Sequence, residues 1–509
     1  MNIKEAKEEL KNTLRAYHGR DGQGNYKYPL LRQRPILLMG PPGIGKTAIV
    51  EQVAEECGVG LVAYTMTHHT RQSAIGLPQI MQRNYEGREM SVTEYTLSEI
   101  IASVYDCMER TGKKEGILFI DEINCVSETL APVMLQFLQN KTFGSHRVPE
   151  GWMIVAAGNP AEYNRSVREF DIVTLDRVRR IDVSADCDVW LEYAWEKGIH
   201  GAILAYLNLK KDHFYRIEAD EESKKFVTAR GWEDLSELLK SYEELGVAVT
   251  EDQIGQFLQY REIAGDFAAC YQLYQKYGGD YGVAEILEGS FSKEAYQDRV
   301  GMARRAGFDE RFTVTGLLAD GCGSGLAEFE AADRKVELLY EWLLQLKEFL
   351  KNQSDMLSFG EFIQQKKDSL KTKERMELIS GKEAACAREV ISCLEAWELT
   401  LKKEYIRDPK AGFLRIKELF ALQTQERKQL MERQKQKLGR AIQFVADGFG
   451  EDQEMILLIS ILIRSRRAMS FISTFGCEEF FRYSKILLQD QTERELQEAC
   501  RKLLEEPDL

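Results

Sequence analysis

The sequence predicts an α/β domain that is followed by a mostly α-helical region. In the first half, short apolar segments of strand length alternate with amphipathic segments of helix length, as an α/β fold requires. Eight of the ten prolines occur by Pro160, and none lies between Pro160 and Pro409. Because proline disrupts helix interiors, this gap permits a long helical second half. The 509 residues are enough for about three domains.

A glycine-rich turn lies between the first predicted strand and the helix after it. The turn, residues 40–47, reads GPPGIGKT and directly follows the apolar run Ile36–Met39. Strand, glycine-rich turn and helix in this order are typical of a P-loop, in which backbone N–H groups and the helix dipole bind phosphate. Lys46 would contact the β- and γ-phosphates, and the Thr47 hydroxyl would be a ligand of Mg²⁺. The alternative is a turn that fits this pattern by chance. The predicted nucleotide contacts are Gly40, Pro41, Pro42, Gly43, Ile44, Gly45, Lys46, Thr47, Ala48 and Asp121.

The other elements of the first half are predicted from apolar periodicity and from turn residues. A short amphipathic helix and a polar loop occupy residues 1–34. After the P-loop helix we predict a strand in VGLVAYTMT, a hairpin over 77–95 with its turn at Glu86-Gly87, a helix over 97–110, a strand over 117–120, a helix from the N-cap Ser127 to about Leu138, a short hairpin over 141–150 and a strand over 152–157.

Two of these strands end in polar residues that would complete a P-loop site. ILFIDE has the pattern of a Walker B motif, in which Asp121 would hold Mg²⁺, directly or through water, and Glu122 would orient and deprotonate the attacking water. The alternative is an ordinary strand that ends in two solvated acids. Asn159 follows the next strand, where its amide would bond to the lytic water and to the γ-phosphate, the role called sensor 1. The alternative is a turn asparagine, since Asn-Pro is itself a turn signal.

These motifs together resemble those of one family. GPPGIGKT, ILFIDEIN, a hairpin before GNPAEYN, LDRV and TARGWEDL occur in this order over about residues 34–260, and they are similar to MoxR-type and dynein-related (AAA_5-like) AAA+ ATPases. The resemblance implies a P-loop NTPase AAA+ core with a parallel five-stranded sheet, an α-helical lid, and hydrolysis of ATP with Mg²⁺. It also implies a homo-oligomer, a hexameric ring, with a chaperone-like role in remodelling partner proteins. Family members often work with a protein that carries a von Willebrand factor A domain. The two hairpins resemble the family's inserts, which we expect to face the ring's centre or the client.

The resemblance also gives roles to arginines in TLDRVRR and TARGWEDL. One of Arg177, Arg179 and Arg180 would reach the neighbouring subunit's nucleotide as an arginine finger, and we favour Arg177. Arg230 would contact the γ-phosphate within its own subunit. Each of these arginines is instead open to a structural or surface role. The family usually has phenylalanine after the finger arginine and proline before the second sensor, whereas valine and alanine stand here, and both departures weaken the arginine assignments.

The second half is predicted to be helical. Amphipathic segments lie at 188–198, 201–209, 231–245, 254–278, 333–351, 384–402, 413–445 and 451–471. GCGSG at 321–325 is predicted to be a turn or linker. The run 427–440 has six basic residues against one acid, which favours a solvated helix face over a phosphate-backbone contact. We therefore divide the chain into an N-terminal helix and loop (1–33), the α/β core (34–184), the lid (185–280), a linker region (281–325) and a helical C-terminal domain (326–509).

Composition bears on the class of function and on location. The net charge is −14 and acids outnumber bases in both halves, so we expect no nucleic-acid partner; a motor subunit that acts on nucleic acid, of restriction or defence type, is the alternative. A scaffold that binds ATP without turnover is a third possibility, against which Glu122 argues. Ten cysteines without a CxxC pair predict free thiols and a cytoplasmic location. The longest apolar run, 455–463, is too short to span a bilayer, so we expect no membrane partner.

Overall fold

The computed structural model describes residues 1–66, 74–85, 88–143, 146–163, 170–219, 224–351, 356, 358–376 and 378–485. The chain divides into two compact units. The first comprises Met1–Trp190, Asp212–Asp234 and Gln256–Tyr260, and the second comprises Leu191–Lys211, Leu235–Gly255 and the chain from Arg261 onward. The predicted lid, 185–280, is therefore shared between the two units instead of forming a unit of its own.

A parallel sheet of five strands forms the centre of the first unit. Its strands are β1 (Ile36–Met39), β2 (Gly60–Thr65), β5 (Gly116–Asp121), β8 (Trp152–Gly158) and β9 (Arg179–Asp182), in the spatial order β2-β5-β8-β1-β9. Every neighbouring pair is parallel. The predicted parallel five-stranded sheet is confirmed, and the carboxyl ends of its strands meet at one edge, where α/β folds bind ligands.

Helices cover both faces of this sheet, which explains why its central strands are apolar throughout. Alternate residues of a strand point to opposite faces. Ile36 and Leu38 belong to a core that includes residues of the first two helices, whereas Leu37 and Met39 belong to a core that includes residues of the next two. The helices are α1 (Ile3–His18), α2 (Lys46–Glu56), α3 (Glu99–Thr111) and α4 (Ala131–Asn140).

The start of α4 differs from the prediction. We predicted that Ser127 caps this helix, and this is wrong, because the helix begins at Ala131 with Leu130 in the cap position. Ser127 contributes its backbone carbonyl instead, which accepts hydrogen bonds from the N–H groups of Leu130 and Ala131. Pro132 then lies in the first turn, where its missing N–H costs no helical hydrogen bond.

An antiparallel ribbon lies between β2 and α3 in the sequence of the first unit. Its strands are β3 (Pro78–Tyr85) and β4 (Arg88–Tyr95), which confirms the hairpin predicted over 77–95. The predicted turn at Glu86-Gly87 lies outside the described residues. At the base of the ribbon, the Thr96 N–H donates to the Leu77 carbonyl at 2.9 Å, and the Leu77 N–H donates to Thr96 Oγ1 at 2.9 Å. Its two ends are thus bonded to each other.

The remaining elements of the first unit are short. The second predicted hairpin, over 141–150, is confirmed as a pair of two-residue strands. A further hairpin lies before the last helix of this unit. The elements are β6 (Thr142–Phe143), β7 (His146–Arg147), α5 (Ile172–Leu175), the start of α6 (Cys187–Lys197), β10 (Arg216–Ala219), β11 (Lys224–Val227) and the first residues of α8 (Ala229–Leu245).

The described part of the second unit is helical. Two long helices, α13 (Phe308–Leu350) and α16 (Pro409–Phe449), each contribute to two of the apolar cores among its described residues. Its further helices are α7 (Gly201–Leu209), α9 (Glu251–Phe257), α10 (Arg261–Tyr281), α11 (Val283–Glu288), α12 (Lys293–Arg305), α13 (Phe308–Leu350), α14 (Ser358–Arg375), α15 (Gly381–Lys403), α16 (Pro409–Phe449), α17 (Gln453–Arg464) and α18 (Arg466–Phe475). The helix α14 was not predicted, and the segments predicted at 254–278 and 451–471 are each divided between two helices.

The predicted linker over 281–325 is wrong, because α11, α12 and the start of α13 occupy it and GCGSG lies inside α13. Two glycines of this motif permit close packing. A Cβ on Gly321 would lie 2.3 Å from Leu287 Cδ1, and one on Gly325 would lie 2.1 Å from Gln434 Oε1. The missing side chains let α11 and α16 approach α13, so tertiary packing outweighs the low helix propensity of glycine.

The basic run 427–440 is a packing surface of α16, and the prediction of a solvated face is wrong. Arg433 and Lys437 both pair with Glu288, at 2.6 and 2.8 Å, and their hydrogen bonds lower the pKa of that carboxyl to about 2. Arg427 pairs with Asp333. Arg440 donates to the Leu287 carbonyl at 2.9 Å. Lys435 donates to the Phe475 carbonyl of α18 at 3.3 Å. Five of the six cations therefore bind neighbouring helices.

Two further predictions concern thiols and the bilayer. The nine cysteines among the described residues are all free. The apolar run 455–463 lies within α17, and most of its residues are buried. No helix in the described part of the chain has both the length and the apolar character that a membrane span needs.

Candidate active site

The glycine-rich turn has the backbone of a phosphate-binding loop. Gly43 and Gly45 adopt φ values of 72° and 96°, a region that glycine enters at little cost. Gly45 is the residue before the first turn of α2, whose N-terminus carries the positive end of the helix dipole. Gly40 must also lack a side chain, because a Cβ there would lie 2.4 Å from the Val183 carbonyl oxygen. The turn can therefore bring its N–H groups close to an anion.

Lys46 is a buried cation whose hydrogen bonds, among the residues that the structure describes, all go to uncharged groups. Its Nζ donates to the carbonyls of Gly40 and Pro41 at 2.8 Å each and to Asn159 Oδ1 at 2.9 Å. The side chain is only 8% exposed, and burial is the main reason that its pKa falls to about 8. A phosphate would supply the negative charge that these partners lack. The residues of the turn thus fit a nucleotide phosphate.

Two oxygen-bearing side chains meet beside the turn. Thr47 Oγ1 donates to Asp121 Oδ2 at 2.9 Å, and the other oxygen of Asp121 accepts from the Glu122 N–H at 2.9 Å. A hydroxyl and a carboxylate are the oxygen ligands that Mg²⁺ takes in phosphate sites, where it keeps several waters. The pair therefore fits Mg²⁺ at the place the sequence predicts.

Glu122 follows Asp121 in a strained turn. Its φ is 54°, unusual for a residue other than glycine, and such strain is concentrated at functional sites. The turn is held by the Cys125 N–H, which donates to the Glu122 carbonyl, and by the Ile123 N–H, which donates to the Ala157 carbonyl, both at 2.9 Å. These bonds fix the Glu122 backbone beside the end of β8, the strand that leads to Asn159.

Asn159 and Arg230 lie near Lys46, as the sequence predicts. Asn159 contacts Lys46 directly through its amide oxygen. The Arg230 side chain is exposed, and its positive charge contributes to the lowered pKa of Lys46. The Arg230 backbone N–H also donates to the Gly43 carbonyl at 3.3 Å.

The three candidate finger arginines have different surroundings. Arg179 pairs with Glu9 of α1. Arg180 pairs with Asp182 at 2.7 Å. Arg177 is exposed and forms no hydrogen bond or ion pair through its side chain within the part of the chain that the structure describes. Its charge helps to lower the pKa of the Asp171 carboxyl, but its guanidinium is the least engaged of the three.

Sequence reasoning missed three residues of this site. The Tyr215 hydroxyl donates to the Pro42 carbonyl at 2.6 Å, and burial raises the pKa of this phenol well above its usual value. The Thr228 side chain lies 3.1 Å from where a Cβ on Gly43 would be. Asn124 Nδ2 donates to the Asn159 backbone carbonyl at 2.7 Å. Two of the three had a sequence signal, since Asn124 ends the motif ILFIDEIN and Thr228 begins TARGWEDL; Tyr215 has none.

Comparisons with known proteins agree with this geometry. A family model described as "AAA domain (dynein-related subfamily)" matches residues 35–178. Lon protease 1 of Bacillus subtilis (strain 168) is 23% identical over 276 aligned residues, which cover 46% of this chain and 34% of that protein. Midasin of Giardia intestinalis is 53% identical over 38 residues, which are 8% of this chain and 1% of that protein. The chain therefore spans about a third of the length of the first relative and about a hundredth of the second.

Proposed function

Since residues 35–178 belong to the dynein-related subfamily of AAA domains, we propose that this chain hydrolyses ATP to ADP and phosphate with Mg²⁺. The observation that carries the proposal is the Thr47–Asp121 contact of 2.9 Å, which lies between the glycine-rich turn and Glu122. It brings together a phosphate-binding loop, oxygen ligands for a cation and a carboxylate base at one edge of the sheet. Binding without turnover would need the first two only.

Each residue of this site has a role in the proposed reaction. The N–H groups of the turn and Lys46 bind the phosphates. Thr47 and Asp121 would hold Mg²⁺, which would supply stabilisation of the charge on the phosphate oxygens. Glu122 takes the proton of the attacking water, and Asn159 orients that water. Phosphoryl transfer needs little covalent catalysis, so the positioning of the reactants and the electrostatic stabilisation of the transition state account for most of the rate enhancement.

The family membership further supports a ring, which we propose to be hexameric and MoxR-like. Arg177 would act on the nucleotide of the neighbouring subunit, and Arg230 on that of its own. The ring would remodel partner proteins. We propose that it acts together with a protein that carries a von Willebrand factor A domain. Support for a client surface comes from the ribbon of β3 and β4, where Ile80 is 77% exposed and Met81 and Met90 nearly half. Solvent-exposed apolar side chains of this kind mark protein contacts.

Phosphate release from Mg·ATP tests the proposed reaction. We expect turnover by the wild type, and none by Glu122→Gln, which should still bind ATP in calorimetry because its phosphate contacts are intact. Lys46→Ala should lose binding itself. Glu109→Gln, on the exposed side of α3, is the matched control and should hydrolyse like the wild type. Equal hydrolysis by the wild type and Glu122→Gln would remove the proposed base.

Mixing of variants tests the ring. Arg177→Ala supplies an intact phosphate site without the finger, and Lys46→Ala supplies the finger without a site. A mixture should therefore regain part of the activity at hybrid interfaces. Absence of rescue at every mixing ratio would argue against action of Arg177 on a neighbour.

A further inference from the structure

Asn124 connects the turn after β5 to the end of β8. Its side chain is 3% exposed, and its Nδ2 donates to the Asn159 carbonyl at 2.7 Å. The contact depends on Gly158, because a Cβ there would lie 2.7 Å from Asn124 Oδ1. Because Gly158, the residue before Asn159, has no side chain, the Asn124 amide can pack against it.

The other end of the Asn124 amide is not satisfied. Its Oδ1 is buried and has no hydrogen-bond partner among the described residues. A buried polar atom without a partner costs about 1–3 kcal/mol, so an apolar residue of similar size would serve stability better. The stability of the fold therefore does not explain why an amide stands at this position. Its single hydrogen bond, to the Asn159 carbonyl, indicates another role.

That bond acts on the backbone of Asn159, whose side chain faces the phosphate site. Asn159 Oδ1 is bonded to Lys46 Nζ, and the peptide that carries this side chain is held by Asn124. Asn124 also lies two residues after Glu122, within the turn that holds this carboxylate. One amide thereby fixes the position of the proposed base relative to the residue that orients the water.

We propose that Asn124 is a positioning residue for hydrolysis, acting through Asn159 and without contact to nucleotide. The proposal rests on the proposed ATPase function. Displacement of a catalytic group by about 1 Å costs up to about 100-fold in rate. Loss of the Asn124 bond should therefore lower kcat by about 10- to 100-fold and leave nucleotide binding nearly unchanged, because the phosphate contacts of the turn remain.

A double-mutant cycle on kcat tests whether Asn124 acts through Asn159. We expect Asn124→Ala to lower kcat with KM and the calorimetric Kd for ATP within about twofold. Adding it to Asn159→Ala should lower kcat no further. Asn208→Ala is the matched control: its Nδ2 donates to the Leu204 carbonyl at 2.8 Å in α7, and its loss should leave kcat unchanged. The proposal would be overturned if kcat of the double variant fell by the product of the two single-variant effects. A folded Asn124→Ala protein with wild-type kcat would overturn it as well.

The variant Asn124→Asp adds a reversible test that survives if the alanine variant does not fold. An ionised carboxylate would repel the Asn159 carbonyl, whereas the protonated acid regains an O–H donor. Burial raises the pKa of a carboxyl group, so protonation falls within an accessible range. The ratio of variant to wild-type kcat should rise by about tenfold between pH 8 and pH 6. A flat ratio would overturn the positioning role. A wild type that binds ATP but releases no phosphate would instead refute the ATPase function, and with it this proposal.

Discussion

Lys141 allows a quantitative test of the structure through the pH dependence of stability. The residue follows α4 and leads into β6, and it is 3% exposed. Burial alone lowers its pKa from 10.5 to about 8. Because the unfolded chain holds this proton more tightly, the charged lysine costs stability below pH 8, and the cost disappears as the pH rises from 8 through 10.5. The difference between the two pKa values corresponds to about 3 kcal/mol of stability at pH 7.

The substitution Lys141→Met keeps a long unbranched side chain and removes the charge. We expect it to raise the free energy of unfolding of the first unit at pH 7 by up to about 3 kcal/mol, and the advantage over wild type to shrink towards zero at pH 10. Hydrogen exchange of the β5 and β8 amides measures this unit separately. Lys114→Met, at an exposed lysine of the same unit, is the control and should change stability by less than about 0.5 kcal/mol. The reasoning fails if the two variants are equally stable at pH 7, or if the gain at Lys141 persists at pH 10.

Three further predictions concern packing and the phosphate site. Gly448→Ala should destabilise the second unit by about 1–3 kcal/mol in urea unfolding, because its Cβ would lie 2.7 Å from Ala303 Cβ, which cannot rotate away. Gly301→Ala has open space and should stabilise by about 1 kcal/mol; effects of the same sign would contradict this contrast. Gln434→Met should stabilise by about 1–3 kcal/mol, since neither polar atom of this buried amide has a described partner, and a loss of stability would count against it. Tyr215→Phe should weaken ATP binding by about 3- to 10-fold in calorimetry through loss of its bond to the turn; an unchanged Kd would show that the bond is dispensable.

The sheet and the arrangement of the phosphate site could be predicted from the sequence for one reason. In a parallel sheet, residues just after each strand share an edge, so Lys46, Asp121 and Asn159 come together once their strands are recognised. Tyr215 could not be found in this way, since it lies in an irregular segment far along the chain. Likewise, the choice between Arg177 and Arg179 depends on a partner in α1, which no local pattern shows.

The second half shows the opposite case. Glycine lowers the helix propensity of GCGSG, and a local reading therefore predicts a break. What decides the structure is the approach of Leu287 and Gln434, which come from distant parts of the sequence. The basic run in α16 was misjudged for the same reason, because its carboxylate partners lie on other helices. Non-local contacts outweigh local preference wherever helices pack closely.

The base of the β3–β4 ribbon is closed, because the residues on either side of the ribbon are hydrogen-bonded to each other. Two hydrogen bonds join Leu77 to Thr96, so the two ends of the ribbon are held together at its base. We therefore expect β2 and α3 to keep their positions when the ribbon is replaced by one of another length or sequence. Under the proposed function, a change in the ribbon sequence would alter the client contact and leave the residues at the sheet edge unchanged.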